Sequence, residues 1–298
     1  MRKKIRLYFT FMGVALRAKM MHRGAFIAGF FGQLLGHGAR FLTAYLAVRA
    51  FRQMGGWNEH QVVFMYGFNM LGYALAASVF FMPCKYLVGK VRSGEFDASL
   101  TKPMNPLLHE VMLGFSTGYI CHFTLAVVCL AISAKGAGFV LTPLRAALFA
   151  AMLAGAALMQ AAILIIPSAG SFFFKGMNPL YLLTGMAHNF TDYPLTIYPR
   201  ALQALLTFVL PLAFMSFYPV TVLLGLESLL PFPPATAYFA PLVGAGLFAL
   251  GLWLWNAGLK RYQSTGTSGR ANLTYAVFMR RGRKSCVLYE ADAPECVS

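Results

Sequence analysis

Three stretches carry polar groups at spacings that gather them on helical faces. Gln33, His37 and Arg40 stand at i, i+4 and i+7, which sets an amide, an imidazole and a guanidinium on one stripe. Tyr66, Asn69 and Tyr73 share a face, and so do Thr207, Pro211, Phe214 and Tyr218. All three sets lie inside apolar runs. The chemistry open to them is recognition: hydrogen bonds and one cation offered to an amphiphile on a substrate path, or to neighbouring helices. Interhelical hydrogen bonding explains the stripes as well as a path does. A charge at membrane depth costs at least about 2.5 kcal/mol on insertion scales. Arg40 is therefore expected against other helices or water, unless it snorkels to the outer surface. An anionic headgroup is the ligand that would suit it.

Bond-making chemistry has no matching pattern. There is no G-x-x-x-x-G-K-[ST], so the chain does not bind ATP through a P-loop. His109-Glu110 is followed by Leu113 where a zinc-binding second histidine would stand, and no G-x-S-x-G elbow occurs. Paired carboxylates are absent from the apolar runs. The histidines, His22, His37, His60, His109, His122 and His188, are scattered. A single histidine in a span is more often a packed, hydrogen-bonded residue than a ligand. Cys84, Cys121, Cys129, Cys286 and Cys296 include no CxxC pair, so neither a metal site nor a disulfide framework follows. No cofactor is expected on this chain.

The elements that position these groups follow from composition. Of 298 residues 58% are hydrophobic and only 11% charged, with mean hydropathy +0.62. A soluble domain carries about 25% charged residues. Six apolar stretches, near 24–48, 61–81, 111–133, 144–166, 201–224 and 236–259, are each long enough for a helix across a bilayer core of about 30 Å. The fold class is all-α, a polytopic membrane protein with six transmembrane helices. Residues 1–23 read as a basic amphipathic segment on the inner surface, 24–260 as the transmembrane domain and 261–298 as a basic tail. No removable signal peptide stands at the N-terminus. In the first span Ala28, Gly32 and Gly36 form a small-residue row suited to close helix contact.

Orientation follows from Lys and Arg. With both termini cytoplasmic, the inner segments 1–23, 82–110, 171–200 and 260–298 hold 20 of them, against 4 at the outer edges (Arg49, Arg52, Lys135, Arg145). The net charge of +16 thus sets topology and touches anionic membrane lipid, and no nucleic-acid partner is expected. Trp253 and Trp255, just before Lys260 and Arg261, read as an interfacial anchor. Asn189-x-Thr191 and Asn272-x-Thr274 match a glycosylation pattern but fall on segments predicted inside.

The loop 82–110 is unlike the rest. It holds Glu95, Asp97 and Glu110, three of nine acidic residues, beside Lys90, Arg92 and Lys102. Gly94 permits a turn, Asp97 can cap a short helix over 98–100, and Pro103 and Pro106 end it. The product is a short charged knob suited to docking a soluble partner, or a loop that only caps its own helices.

Here the chain resembles a known family. Arg92-x-Gly94-Glu95-Phe96-Asp97-x-x-Leu100-x-Lys102-Pro103-x-Asn105-Pro106-Leu107 is similar to a signature of bacterial six-span permeases of type-2 ABC exporters. The stretch Asp192-Tyr193-Pro194-Leu195-Thr196-Ile197-Tyr198-Pro199, its continuation through Pro211, Phe214 and Tyr218, Gly56-Trp57, and Arg261-Tyr262-Gln263-Ser264-Thr265-Gly266 agree, over roughly residues 5–266. The resemblance implies a transport subunit that is not itself an enzyme. A separate ABC ATPase chain would hold ATP and Mg, and a second permease, identical or paralogous, would complete the path. It implies efflux across the bacterial cytoplasmic (inner) membrane by alternating access, with spans one, two and five shifting. The loop would couple to the ATPase through Arg92, Gly94, Glu95, Phe96, Asp97, Leu100, Lys102 and Pro103. The path would use Gln33, His37, Arg40, Tyr66, Asn69, Tyr73, Phe214 and Tyr218. Two other classes compete: a membrane enzyme on lipid-linked substrates, which needs a cluster of acids, histidines or a nucleophile at one interface, and a passive channel or scaffold.

Overall fold

A computed structural model of the chain describes residues 23–51, 55–114, 117–173 and 180–263. Residues 1–22 of the predicted surface segment 1–23, and the predicted tail from 264 on, with Cys286 and Cys296, lie outside the described residues. The described residues form helices and no strands.

Helix α1 (Arg23–Phe51) is 29 residues long, about 43 Å. Its small-residue row faces outward, with nothing within 4 Å of a Cβ at Gly32 or Gly36. Helix α2 (Glu59–Ser93) starts on a reciprocal cap, in which Gln61 N–H donates to Asn58 Oδ1 at 2.8 Å and Asn58 N–H donates to Gln61 Oε1 at 2.9 Å. At 35 residues it is about 52 Å long and overshoots a hydrocarbon core of about 30 Å. The span predicted to stop at Phe81 runs on through Pro83, and the loop expected from Met82 begins only at Gly94. The Pro83 ring packs where a Cβ at Gly114 would stand, so a glycine on α4 lets the two helices approach closely at the proline.

Beyond Gly94 come α3 (Asp97–Leu100), α4 (Pro106–Gly114) and α5 (Ile120–Ala134). The single third span predicted over 111–133 is thus two helices, with a 3₁₀ turn at Thr117–Tyr119 between them. Helix α6 (Pro143–Ala169) has Thr142 as N-cap and Pro143 in its first turn. Pro167 stays inside the helix rather than ending it.

The predicted fifth span does not exist as a helix. Over 201–224 the chain is α8 (Arg200–Ala204), a π turn at Leu205–Val209, a 3₁₀ turn at Leu212–Met215 and α9 (Phe217–Leu224). Pro211, which has no N–H, sits at the break. Thr196 lies against Gly55, Leu229 against Gly56, and Phe217 against Trp57 at 5.6 Å. This region therefore occupies the end of the bundle that carries 55–57, opposite Gly94. The helix between the two ends is α7 (Leu180–Thr191), which the hydropathy pattern did not separate from its surroundings. Arg200, assigned to the inner side with 171–200, belongs to the end of Gly55, because Thr196 lies on Gly55.

The chain closes through α10 (Ala235–Tyr238) and α11 (Ala240–Arg261), which begins four residues after the predicted sixth span. Among the described residues three helices are long and apolar enough to cross a membrane: α2, α6 continued to Phe172, and α11. Helices α6 and α11 touch backbone to backbone, since a Cβ on Gly155 would strike Pro241 and one on Gly244 would strike the Gly155 carbonyl. Gly244, Gly251 and Gly258 recur every seven residues along this contact.

Candidate functional site

The knob is built from its own sequence. Gly94 adopts φ +73°, which caps α2 and turns the chain. Phe96 N–H then donates to the Lys90 carbonyl at 3.1 Å. Asn105 accepts from Leu107 N–H at 2.9 Å, so it caps α4 and returns the chain to the bundle. Asp97 is the first residue of α3 rather than its cap. Its Oδ1 instead accepts from the Tyr262 hydroxyl at 3.0 Å. Burial, then this bond, pushes the Tyr262 phenol up to about 12, which keeps it the donor.

The predicted coupling residues divide between two faces. Arg92, Glu95, Leu100, Lys102 and Pro103 are exposed. Gly94 and Phe96 are buried and Asp97 half-buried, so these three hold the knob rather than present it. Phe96 lies among Phe172, Trp255 and Tyr262. Trp255 is therefore a core residue and not an interfacial anchor, whereas Trp253 is 64% exposed. Beneath the knob the buried carboxylate of Glu110 accepts from Lys90 Nζ at 2.8 Å and from the Ser99 hydroxyl.

A second constellation sits between α1, α2, α5, α6 and α7. Arg40 donates to Asp192 Oδ2 at 2.9 Å and to Asn189 Oδ1 at 3.3 Å. Asn69 donates to Thr191 Oγ1 at 3.0 Å, and Gln160 donates to the Asn69 carbonyl at 3.0 Å. His37 Nε2 meets His122 Nε2 at 2.7 Å, and Tyr66 donates to the His37 carbonyl at 3.1 Å. The Tyr73 ring contacts His122 at 5.6 Å and His188 at 4.6 Å. Of the predicted path residues, His37, Arg40, Tyr66, Asn69 and Tyr73 thus come together, while Gln33 is exposed on α1. Phe214 and Tyr218 do not join them. They are core residues at the Gly55 end, 4.6 Å apart, with Tyr218 hydrogen-bonded to Thr207 at 3.0 Å. No group of three or more His, Cys, Asp or Glu placed to hold a metal occurs among the described residues.

The family model of the ABC-2 family transporter proteins matches residues 34–266, which takes in the knob, the polar constellation and Tyr262. The chain belongs to the ABC-2 transporter family. It is accordingly a multi-pass membrane protein of a transporter family. No curated protein and no solved structure matches it significantly.

Four residues of this ABC-2 protein escaped the reading of the sequence. Asp192 was a loop carboxylate there, yet it neutralises Arg40, so Arg40 offers no uncompensated charge to an anionic headgroup. The signal was available: an Arg in a span needs a counter-ion, and acids are few. His122 and His188 were read as isolated, and nothing in their spacing links them to His37. Gln160, buried in α6, bridges to Asn69.

Proposed function

We propose that this chain is the transmembrane permease subunit of an ATP-driven ABC exporter, forming half of a translocation path and receiving force from a separate ATPase through the 94–105 knob. The observation that carries the reading is the knob's split surface. An overlong helix lifts a small body clear of the hydrocarbon core, and that body turns a cation, an anion, an exposed leucine and Lys102 outward. A loop that only capped its own helices would not need that outward face. Family membership supports the same reading.

In this reading the knob faces the cytoplasm of a bacterium, six crossings are made with α7 as the fifth, and both termini lie inside. Two permease chains and two ATPases assemble, with ATP and Mg on the ATPases. ATP binds the closed ATPase pair better than the open one, and the path changes sides in response. The polar face around His37, Tyr66, Asn69 and Tyr73 meets a hydrophobic or amphiphilic cargo by hydrogen bonding and ring contact, since Arg40 is already paired. Export rather than import follows the resemblance of the motifs.

The test is co-expression with an ABC ATPase, sought first in the genes that flank this one. Glu95→Lys combined with Lys102→Glu is expected to abolish co-purification while the permease remains monodisperse. Unchanged co-purification and ATP turnover would remove the docking role. Ion flux through the purified chain without nucleotide would favour a channel, and turnover of a lipid-linked substrate without the ATPase would favour an enzyme.

A further inference from the structure

The buried face of the knob ends on the last helix. The Phe96 ring lies 5.4 Å from Phe172, 6.4 Å from Trp255 and 5.4 Å from Tyr262. Phe172 in turn meets Trp255 at 5.3 Å and Tyr262 at 6.0 Å. Gly258 makes the room, because a Cβ there would meet the Phe172 ring at 2.7 Å. Asp97, next in the chain, accepts from Tyr262 at 3.0 Å across 165 positions. Two consecutive knob residues thus grip one residue at the end of α11, and the ring that closes the box comes from the end of α6.

We infer that Phe96 and Asp97 fasten the knob to α11 through Tyr262, so that the knob and the ends of α6 and α11 move as one body. The inference rests on the permease reading and deepens it. Asp97 is a positioning residue: its carboxylate is taken up by a phenol, so its task is to accept a hydrogen bond rather than to offer a docking charge. The force that enters at Glu95 and Lys102 is then delivered to α2, α6 and α11 together. That adds α6 and α11 to the expectation that spans one, two and five carry the motion.

The acceptor role separates from a charge role by chemistry. An amide oxygen accepts from Tyr262 as a carboxylate does, while a methyl group cannot. The experiment places nitroxides at Ala98→Cys and Asn256→Cys, with Cys286 and Cys296 replaced by Ser, in the permease–ATPase complex in nanodiscs. Expected are a narrow distance distribution that is the same without nucleotide and with ATP and Mg, and its broadening in Tyr262→Phe and in Asp97→Ala. The double variant is expected to be no broader than either, and Asp97→Asn to stay narrow. Permease-dependent ATP hydrolysis is expected to fall about fivefold in the two broadened variants, the scale of one charged hydrogen bond in a part-exposed site, with co-purification unchanged. A wild-type distance that shifts with ATP, a narrow Tyr262→Phe, or an Asp97→Asn that behaves like Asp97→Ala would overturn the inference. Failure of any ATPase to co-purify would instead overturn the permease reading, and the two failures are distinct.

Discussion

Glu110 is a carboxylate with two donors and almost no water, at 2% side-chain exposure against 22% for its partner Lys90. Removing one member of a buried pair leaves the other charge uncompensated, which costs about 3–5 kcal/mol. Glu110→Ala is therefore expected to lower the thermal midpoint of the solubilised protein sharply. Lys90→Met with Glu110→Leu is expected to recover most of the loss, because it removes both charges and keeps the volume. A double variant no more stable than the single would show that the carboxylate acts through Ser99 alone. Arg40 and Asp192 obey the same rule at greater exposure, 40% against 11%. Asp192→Leu is expected to reduce insertion and yield more than Arg40→Leu with Asp192→Leu does, since the single variant strands a guanidinium at membrane depth. Equal yields, read by fluorescence-detected size exclusion, would mean that Arg40 reaches water without its partner.

The contact between α6 and α11 depends on glycines. A side chain at Gly244 has to push the helices apart, whereas a Cβ at Gly246 meets nothing within 4 Å. Gly244→Val is expected to cost about 1–3 kcal/mol by overpacking. Gly246→Ala is expected to be neutral, or to stabilise by up to about 1 kcal/mol through helix propensity. Thermal shift of the two variants checks the contrast, and a Gly244→Val as stable as the parent would mean that the helices are not held this closely. Both helices were legible in the sequence because each is one long apolar run with a signal at one end: Pro143 for α6, Lys260-Arg261 for α11. The knob was legible for a related reason, since Gly94, Pro103 and Asn105-Pro106 each leave few backbone choices. What failed was length arithmetic. Residues 201–224 are apolar enough for a span, but the chain breaks at Pro211, and hydropathy does not register a missing N–H. Helix α7 failed the other way. Its 12 residues include Thr184, His188, Asn189 and Thr191, which look like a loop until Arg40 is seen to donate to Asn189 and Asn69 to Thr191.

At the scale of the molecule, the two readings of the fifth crossing place one residue on opposite sides of the membrane. With 201–224 as the span, Arg200 lies inside, beside the knob. With α7 as the crossing, Arg200 shares the end of the bundle with Gly55, because Thr196 is packed on Gly55 only four residues earlier. Arg200 and Lys102 are both exposed, so single cysteines there can report. Cys84, Cys121 and Cys129 are buried and react slowly, and replacing Cys286 and Cys296 by Ser clears the background. In intact cells of a Gram-negative host, a membrane-impermeant maleimide that passes the outer membrane is expected to label Arg200→Cys. It is expected to reach Lys102→Cys only after the inner membrane is opened. Labelling of Arg200→Cys that waits for permeabilisation would restore 201–224 as a crossing, and with it a count in which α7 never leaves the inner side. Labelling of Lys102→Cys from outside would do more, because it would turn the knob away from every cytoplasmic ATPase. The pair of sites therefore tests the path of the chain and the partner it can reach in one measurement.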